Sequence, residues 1–301
     1  MSISLLINSF INDELKFNHF KVTFSEIFES FEAVHIKIRG SFKDKCIAYA
    51  KSMCDEKIFT YQDLNDDDWL ATTYLIVKKI KSRSIFLYNE DHKLNCSLNT
   101  FSKIIHDFNS QEIDYMCYSF FKASKLSKNN ILPLKPFQGA FINYFKINKN
   151  NLKLIGKISP NYFYISLIGI FSKKYISEIL KKQNYNHKIH IPILSKIISR
   201  LISQRRRFFY KYLNFILNKF KINLYLYPIG TSWNFEKMWF ENHNFKDAFR
   251  YAVPNKELFI NFDDDNGMYS ESLIKRGLYP FNEKFFLNYL FNRNDLLSKF
   301  I

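Results

Sequence analysis

Ser84-Ile85-Phe86-Leu87-Tyr88-Asn89-Glu90-Asp91-His92-Lys93-Leu94 decides how the rest of this chain is read. Its first part is a short apolar run rich in β-formers, the pattern of a strand buried on both faces. It ends abruptly in Asn89-Glu90-Asp91-His92. A buried strand that delivers carboxylates and an imidazole at its carboxyl end fits an open α/β sheet, in which ligands bind beyond the strand ends. Adjacent carboxylates at such an end suit a hard divalent cation bridging to a diphosphate.

Upstream, strands alternate with helices. Ile3–Phe10 reads as a strand. A helix follows with Phe20, Phe24, Ile27, Phe28 and Phe31 on one face. Ala33–Ile38 is a half-buried strand in which Val34, Ile36 and Ile38 alternate with His35, Lys37 and Arg39. Phe42–Met53 is a short helix and Lys57–Tyr61 a third strand. Asn65 or Asp66 is placed to cap a helix running through Ile80, with Trp69, Thr73, Ile76, Val77 and Ile80 on its inner face. Four strand-helix alternations in about 95 residues predict βαβ units and a mainly parallel, Rossmann-like sheet flanked by helices.

Beyond Leu94 the pattern loosens. Leu98, Phe101, Ile104, Ile105 and Phe108 mark a helix. Asp114–Ala123 is strand or helix, and Asn130–Gly139 is a crossing loop. Ala140–Ile155 is a hairpin turning at Asn148–Asn151. Tyr162–Ile170 is a strand leading into a helix near Ser172–Lys182. His190–Lys221 is a basic amphipathic helical segment, in which Arg205-Arg206-Arg207 interrupts a face resumed by Phe208, Phe209, Tyr212 and Phe220. It is either a helix packed on the core or one docked on an anionic membrane surface. Tyr225–Tyr227 is a strand, Trp233–Glu241 starts a helix, and Ser270–Arg276 is helical. Glu257–Phe262 is a strand running into the second acidic cluster, Asp263-Asp264-Asp265. The chain divides at about residue 125, into a first half, 1–125, and a second half, 126–301.

Composition narrows the function. With 301 residues, 47% hydrophobic, including 33 Phe and 19 Tyr, the chain can bury a large core and is not disordered. A net charge of +16 favours anionic partners: nucleic acid, an anionic membrane or a phosphate-bearing substrate. The four cysteines lack CxxC spacing and read as reduced thiols of a cytosolic protein. No apolar run approaches about 18 residues, and the first residues lack the basic n-region of a signal peptide. No P-loop, GxGxxG, GxSxG or EF-hand spacing occurs.

The run from Asp68-Trp69 to Lys81, then Ser84–Tyr88 and Asn89-Glu90-Asp91-His92, resembles the GT-A-type glycosyltransferases over roughly the first third of the chain. In that family a short acidic motif, commonly Asp-x-Asp, follows about the fourth strand; here it is Asn-Glu-Asp. The resemblance implies transfer of a sugar from a nucleotide-sugar donor to a surface polysaccharide or lipid-linked glycan. It makes the first half the donor-binding part and the second the acceptor side. It implies a divalent cation, Mn²⁺ or Mg²⁺, held by Asp91, or a metal-independent site in which basic side chains neutralise the diphosphate. Asn8, Ser9, Arg39, Asn89, Glu90 and His92 become the expected donor-binding residues. An inverting enzyme needs a carboxylate base, for which Asp263, Asp264 and Glu236 are the candidates; a retaining one does not. Peripheral contact with the cytoplasmic face of a membrane is expected through segment 190–221. A nucleotidyl- or phosphotransferase of α/β fold is the alternative. Nucleic-acid binding is the weaker option, because the charge is spread along the chain without a recognition motif.

Overall fold

A computed structural model describes residues 2–64, 68–117, 137–148, 150, 168–187, 235, 248–255 and 258–261. In these residues the chain forms β1 (Ile3–Phe10), α1 (Glu14–Ile27), β2 (Ala33–Arg39), α2 (Lys43–Cys54), β3 (Ile58–Thr60), α3 (Trp69–Lys79) and β4 (Ser84–Tyr88). Then come β5 (His92–Leu94), α4 (Leu98–Ser110), β6 (Tyr115–Cys117), β7 (Phe137–Gln138), β8 (Ile142–Ile147) and β9 (Gly169–Ser172). The last elements are α5 (Lys173–His187), β10 (Phe249–Pro254) and β11 (Phe259–Asn261).

Nine strands make one mixed sheet in the order β3-β2-β1-β4-β9-β6-β10-β8-β7, and β5 and β11 form a separate pair. The left part, β3-β2-β1-β4, is parallel throughout, as the alternation predicts. The right part is mixed: β6 and β10 pair in parallel, and the other pairs are antiparallel. β9 enters antiparallel between β4 and β6, and β8 runs antiparallel to both β10 and β7. Strands from both sides of residue 125 therefore share one sheet. β4 is an inner strand with all five residues buried, flanked by β1 and β9.

Helices cover both faces, and each face has its own apolar cluster. On one side Leu5 and Ile7 of β1 meet Phe20, Phe24 and Ile27 of α1, Ala50 of α2, and Phe101 and Ile104 of α4. On the other, Leu6 meets Trp69, Ile76 and Val77 of α3 and Tyr175, Ile176 and Leu180 of α5. Every buried large side chain removed from water contributes about 1.5–3 kcal/mol. That two-sided cover explains the correction for β2. Its alternation predicts a wet face, yet His35 and Lys37 are 5% and 0% exposed, because Phe59 of β3 and Tyr61, Gln62 and Leu64 after it lie against that face.

Other differences are local. The helix expected to begin at Asn65 or Asp66 begins at Trp69, where Asp68 accepts a hydrogen bond from Ala71 N at 2.8 Å. Asp68 has extended backbone and satisfies a free amide of the first turn. Its inner face is as expected: Trp69, Thr73, Ile76, Val77 and Ile80 are all buried. α1 stops at Ile27, and a 3₁₀ turn carries Phe28, so Phe31 reaches the same core from extended backbone. The second arm of the hairpin expected at Ala140–Ile155 lies outside the described residues; its first arm is β8. Among the described residues β8 pairs with β10 along all six of its residues and with β7 at Asn143 and Tyr144. Asp114–Ala123 is strand at Tyr115–Cys117, and β7 occupies the end of the expected crossing loop. Of the strand expected at Tyr162–Ile170, the described end, Gly169–Ser172, is β9. The segments 151–155, 190–221, 225–227 and 270–276 lie outside the described residues.

Turns after β1 and β2 are joined to each other. Ile11 N donates to Arg39 O at 2.8 Å, Phe42 N to Ile11 O at 3.1 Å, and Ser41 Oγ to Asn12 O at 2.8 Å. Gly40 makes this possible: its φ is +97°, and a Cβ there would lie 2.4 Å from Ile11 O. Gly40→Ala is expected to cost about 2 kcal/mol or more, measured by urea unfolding.

His35 is stacked between Phe59 and Tyr61, with its Nδ1 2.7 Å from Tyr61 OH. Burial lowers its pKa to about 4. The unfolded chain, with a histidine near 6.5, binds the proton first, so this contribution to stability is lost as pH falls from about 6.5 towards 4. About 2 kcal/mol of the stability loss between pH 7 and pH 5 should vanish in His35→Phe, read from urea unfolding at both pH values.

Candidate functional site

The order β3-β2-β1-β4 contains a switch point. From β1 the chain moves outward to β2 and β3, then returns to β4 on the other side of β1. Crossovers leave in opposite directions there, which is where open α/β sheets place a ligand crevice, beyond the carboxyl ends of β1 and β4. The two strands run in register to Ile7↔Tyr88, which sets Asn8-Ser9 beside the Asn89-Glu90-Asp91 turn.

Successive residues of β1 serve opposite faces. Asn8, 3% exposed, points to the α3 side. Its Nδ2 donates to Thr73 Oγ1 at 2.8 Å and to Trp69 O at 3.4 Å, and Trp69 Nε1 donates back to Asn8 O at 2.8 Å. Ser9 points to the α1 side, where its hydroxyl holds down the pKa of Glu90. That effect is outweighed by burial and by the adjacent Asp91 carboxylate, which together raise the Glu90 pKa. Buried Cys46 of α2 lies within reach of the same charge, and its thiol is pushed up to about 12, chiefly by burial.

Asp91 behaves oppositely. Burial would raise its pKa, but His92 and then His19 draw it below the usual carboxylate value. Asp91 Oδ1 lies 2.6 Å from His92 Nδ1. His92 is 5% exposed and His19 7%. Burial lowers the His19 pKa, opposed by Asp91. The two carboxylates are therefore separated in chemistry: Asp91 keeps its charge, while Glu90 retains its proton to higher pH.

Helix α1 holds this turn in place. Thr23 Oγ1 donates to Glu90 O at 3.3 Å, Tyr88 OH donates to His92 O, and Glu26 pairs with Lys93 at 2.9 Å. His19 and Thr23 lie i, i+4 on the same face as Phe20, Phe24 and Ile27. Two polar residues inside an apolar stripe were the available signal for their part in the site, and a reading for core alone passes over them. Phe10, 52% exposed and in register with Arg39, is a third residue missed: an aromatic at the open edge.

Of the expected donor-binding residues, Ser9, Asn89, Glu90 and His92 gather at this edge with Asp91. Arg39 ends β2 one strand away, its carbonyl engaged by Ile11 N. Asn8 is at the same edge but turned to α3. Glu236, Asp263 and Asp264 lie outside the described residues. Next to Glu236, Phe235 is buried against Trp69 and Phe171. β11, which leads towards Asp263, ends at Asn261 opposite His92.

Among the described residues no group of three His, Cys, Asp or Glu side chains is arranged to hold a metal ion. Asp91 and Glu90 offer oxygen donors that suit a cation completing its shell with phosphate and water. Among the same residues no helix is long and apolar enough to cross a membrane. No protein-family model and no curated protein matches the chain.

Because burial and Asp91 disfavour the Glu90 carboxylate, the folded state holds that proton more tightly than the unfolded chain. Its pKa is raised, so the stability tied to protonated Glu90 is present at low pH and lost as pH rises through the folded value. Glu90→Gln should melt above the parent at pH 8.5 and level with it at pH 5, checked by thermal denaturation.

Proposed function

We propose that this chain is a glycosyltransferase that moves a sugar from a nucleotide-sugar donor to a polysaccharide or lipid-linked glycan acceptor. The observation that carries the reading is the position of Asp91. A buried parallel strand beside the switch point ends in a carboxylate kept ionised by two imidazoles. A crevice at that point, with Phe10 and Arg39 on the neighbouring strand ends, suits a nucleoside diphosphate.

In this reading Asp91, with Asn89 and Glu90 beside it, would hold Mn²⁺ or Mg²⁺. When bound, the cation supplies charge neutralisation for the leaving group. His92 and His19 keep Asp91 charged and oriented. The acceptor hydroxyl oxygen bonds to the anomeric carbon as the bond to the diphosphate oxygen breaks, and the diphosphate leaves with that electron pair. With inversion, the hydroxyl proton passes to a carboxylate; Asp263, Asp264 and Glu236 are the candidates. The end of β11 opposite His92 supports the first two, since Asp263 follows Asn261 by two residues. Segment 190–221, with its arginine block, is the part proposed to contact an anionic membrane.

Thermal shift with UDP, GDP, dTDP and ADP, with and without Mn²⁺, tests the reading. One nucleoside diphosphate should raise the melting temperature by several degrees, and more so with Mn²⁺. Asp91→Asn should lose the Mn²⁺-dependent part and sugar transfer from the matching nucleotide sugar. Its own melting temperature should fall modestly, since the buried His92 loses an ionised partner. A parent indifferent to all four, or a variant that keeps both responses, refutes the assignment.

A further inference from the structure

Lys37 is the most deeply buried charged-type side chain among the described residues, at 0% exposure in the middle of a strand. Nothing in the proposed chemistry uses it. It lies on the face of β2 covered by the segment between β3 and α3, in register with Asn8 of β1. Its Nζ donates to Leu64 O at 2.6 Å and to Gln62 O at 3.5 Å. Two residues back on the same face, His35 holds Tyr61, whose own amide donates to Ile36 O at 3.1 Å. At the far end of the segment, Asn8 binds Trp69 O and Thr73 Oγ1 and receives Trp69 Nε1. Residues 61–64 follow β3 at the sheet's edge, and Trp69 lies against β1, beside the switch point. The chain is thus fastened at Tyr61, Gln62 and Leu64 to β2, and at Trp69 to β1.

Leu6, Tyr61 and Trp69 surround this face, so an apolar side chain of similar length would fill the place of Lys37 without the cost of removing an amine from water. Its polar head instead satisfies two main-chain carbonyls of the residues that follow β3, on the α3 side of the sheet. We infer that Lys37 is a positioning residue: through Gln62 O and Leu64 O it fixes the wall of the crevice beside β1, and so the affinity for the nucleoside diphosphate. This rests on the proposed function for the ligand, but the clamp itself is independent of it.

The test uses the full chain, Lys37→Met and Lys37→Gln. Hydrogen exchange of amides 61–72 reads the clamp; titration with UDP and with GDP, in Mn²⁺, reads its consequence. Lys37→Met should speed exchange in 61–72 at least tenfold, leave exchange in α1 and β4 unchanged, and weaken binding of the nucleotide that the parent takes about tenfold. Lys37→Gln, which keeps a donor, should recover part of both. Unchanged exchange in 61–72, or unchanged affinity despite faster exchange, overturns the inference. So does failure of both variants to fold, which would make Lys37 a support of the whole core. If the parent binds neither nucleotide, the functional reading has failed, and the exchange arm still decides the clamp.

Discussion

The parallel pairing of β4 with β1 is the constraint on which the remainder depends. β4 has five residues, all buried, with a strand on either side and helices above and below. Such a strand has no wet face to anchor an alternative register, and a one-residue slip would exchange its two apolar clusters. Phe86 and Tyr88 enter the cluster beneath α1 and α4, and Ile85 and Leu87 the one beneath α3 and α5. Fixing β4 against β1 also fixes where its polar end emerges. The Asn89–His92 turn is delivered to the switch point by packing that has nothing to do with chemistry.

Once delivered, the turn is shaped by electrostatics. Two neighbouring carboxylates removed from water cannot both remain charged at low cost. The chain resolves this by unequal surroundings: Asp91 receives His92 and His19, whereas at Glu90 burial and the neighbouring Asp91 outweigh the Ser9 hydroxyl. A net charge of +16 contributes little to this local outcome. Contacts within a few ångströms decide it, while the overall charge acts on the approach of anionic ligands.

Polar groups on the α3 side of the sheet do a different job. Asn8, His35 and Lys37 lie on β1 and β2, where an apolar face would be simpler to pack. His35 and Lys37 hold residues that follow β3, and Asn8 holds the start of α3. Buried polar side chains that bind main-chain groups define one arrangement of a connection, where apolar contacts would tolerate several. The joined turns after β1 and β2 give the other side of the crevice comparable definition through main-chain bonds and Gly40.

By itself the sequence determined the parallel half of the sheet, the inner place of β4 and the core faces of α1, α3 and α4. Periodicity is a local property, and residues such as Phe20, Phe24, Trp69 and Ile76 each report their burial through spacing alone. It also pointed to the edge where Ser9, Glu90, Asp91 and His92 meet, because strand ends in a parallel sheet share one side. Tertiary structure alone decided the rest. That β9 inserts antiparallel between β4 and β6, and that β8 pairs with β10 about a hundred residues on, are choices between distant segments, to which local pattern is blind. The roles of His19, Thr23 and Lys37 were hidden for the same reason. In the sequence each is one polar residue in an apolar stripe or an alternating strand, and only the partner brought across from β4 or from the segment after β3 gives it a task.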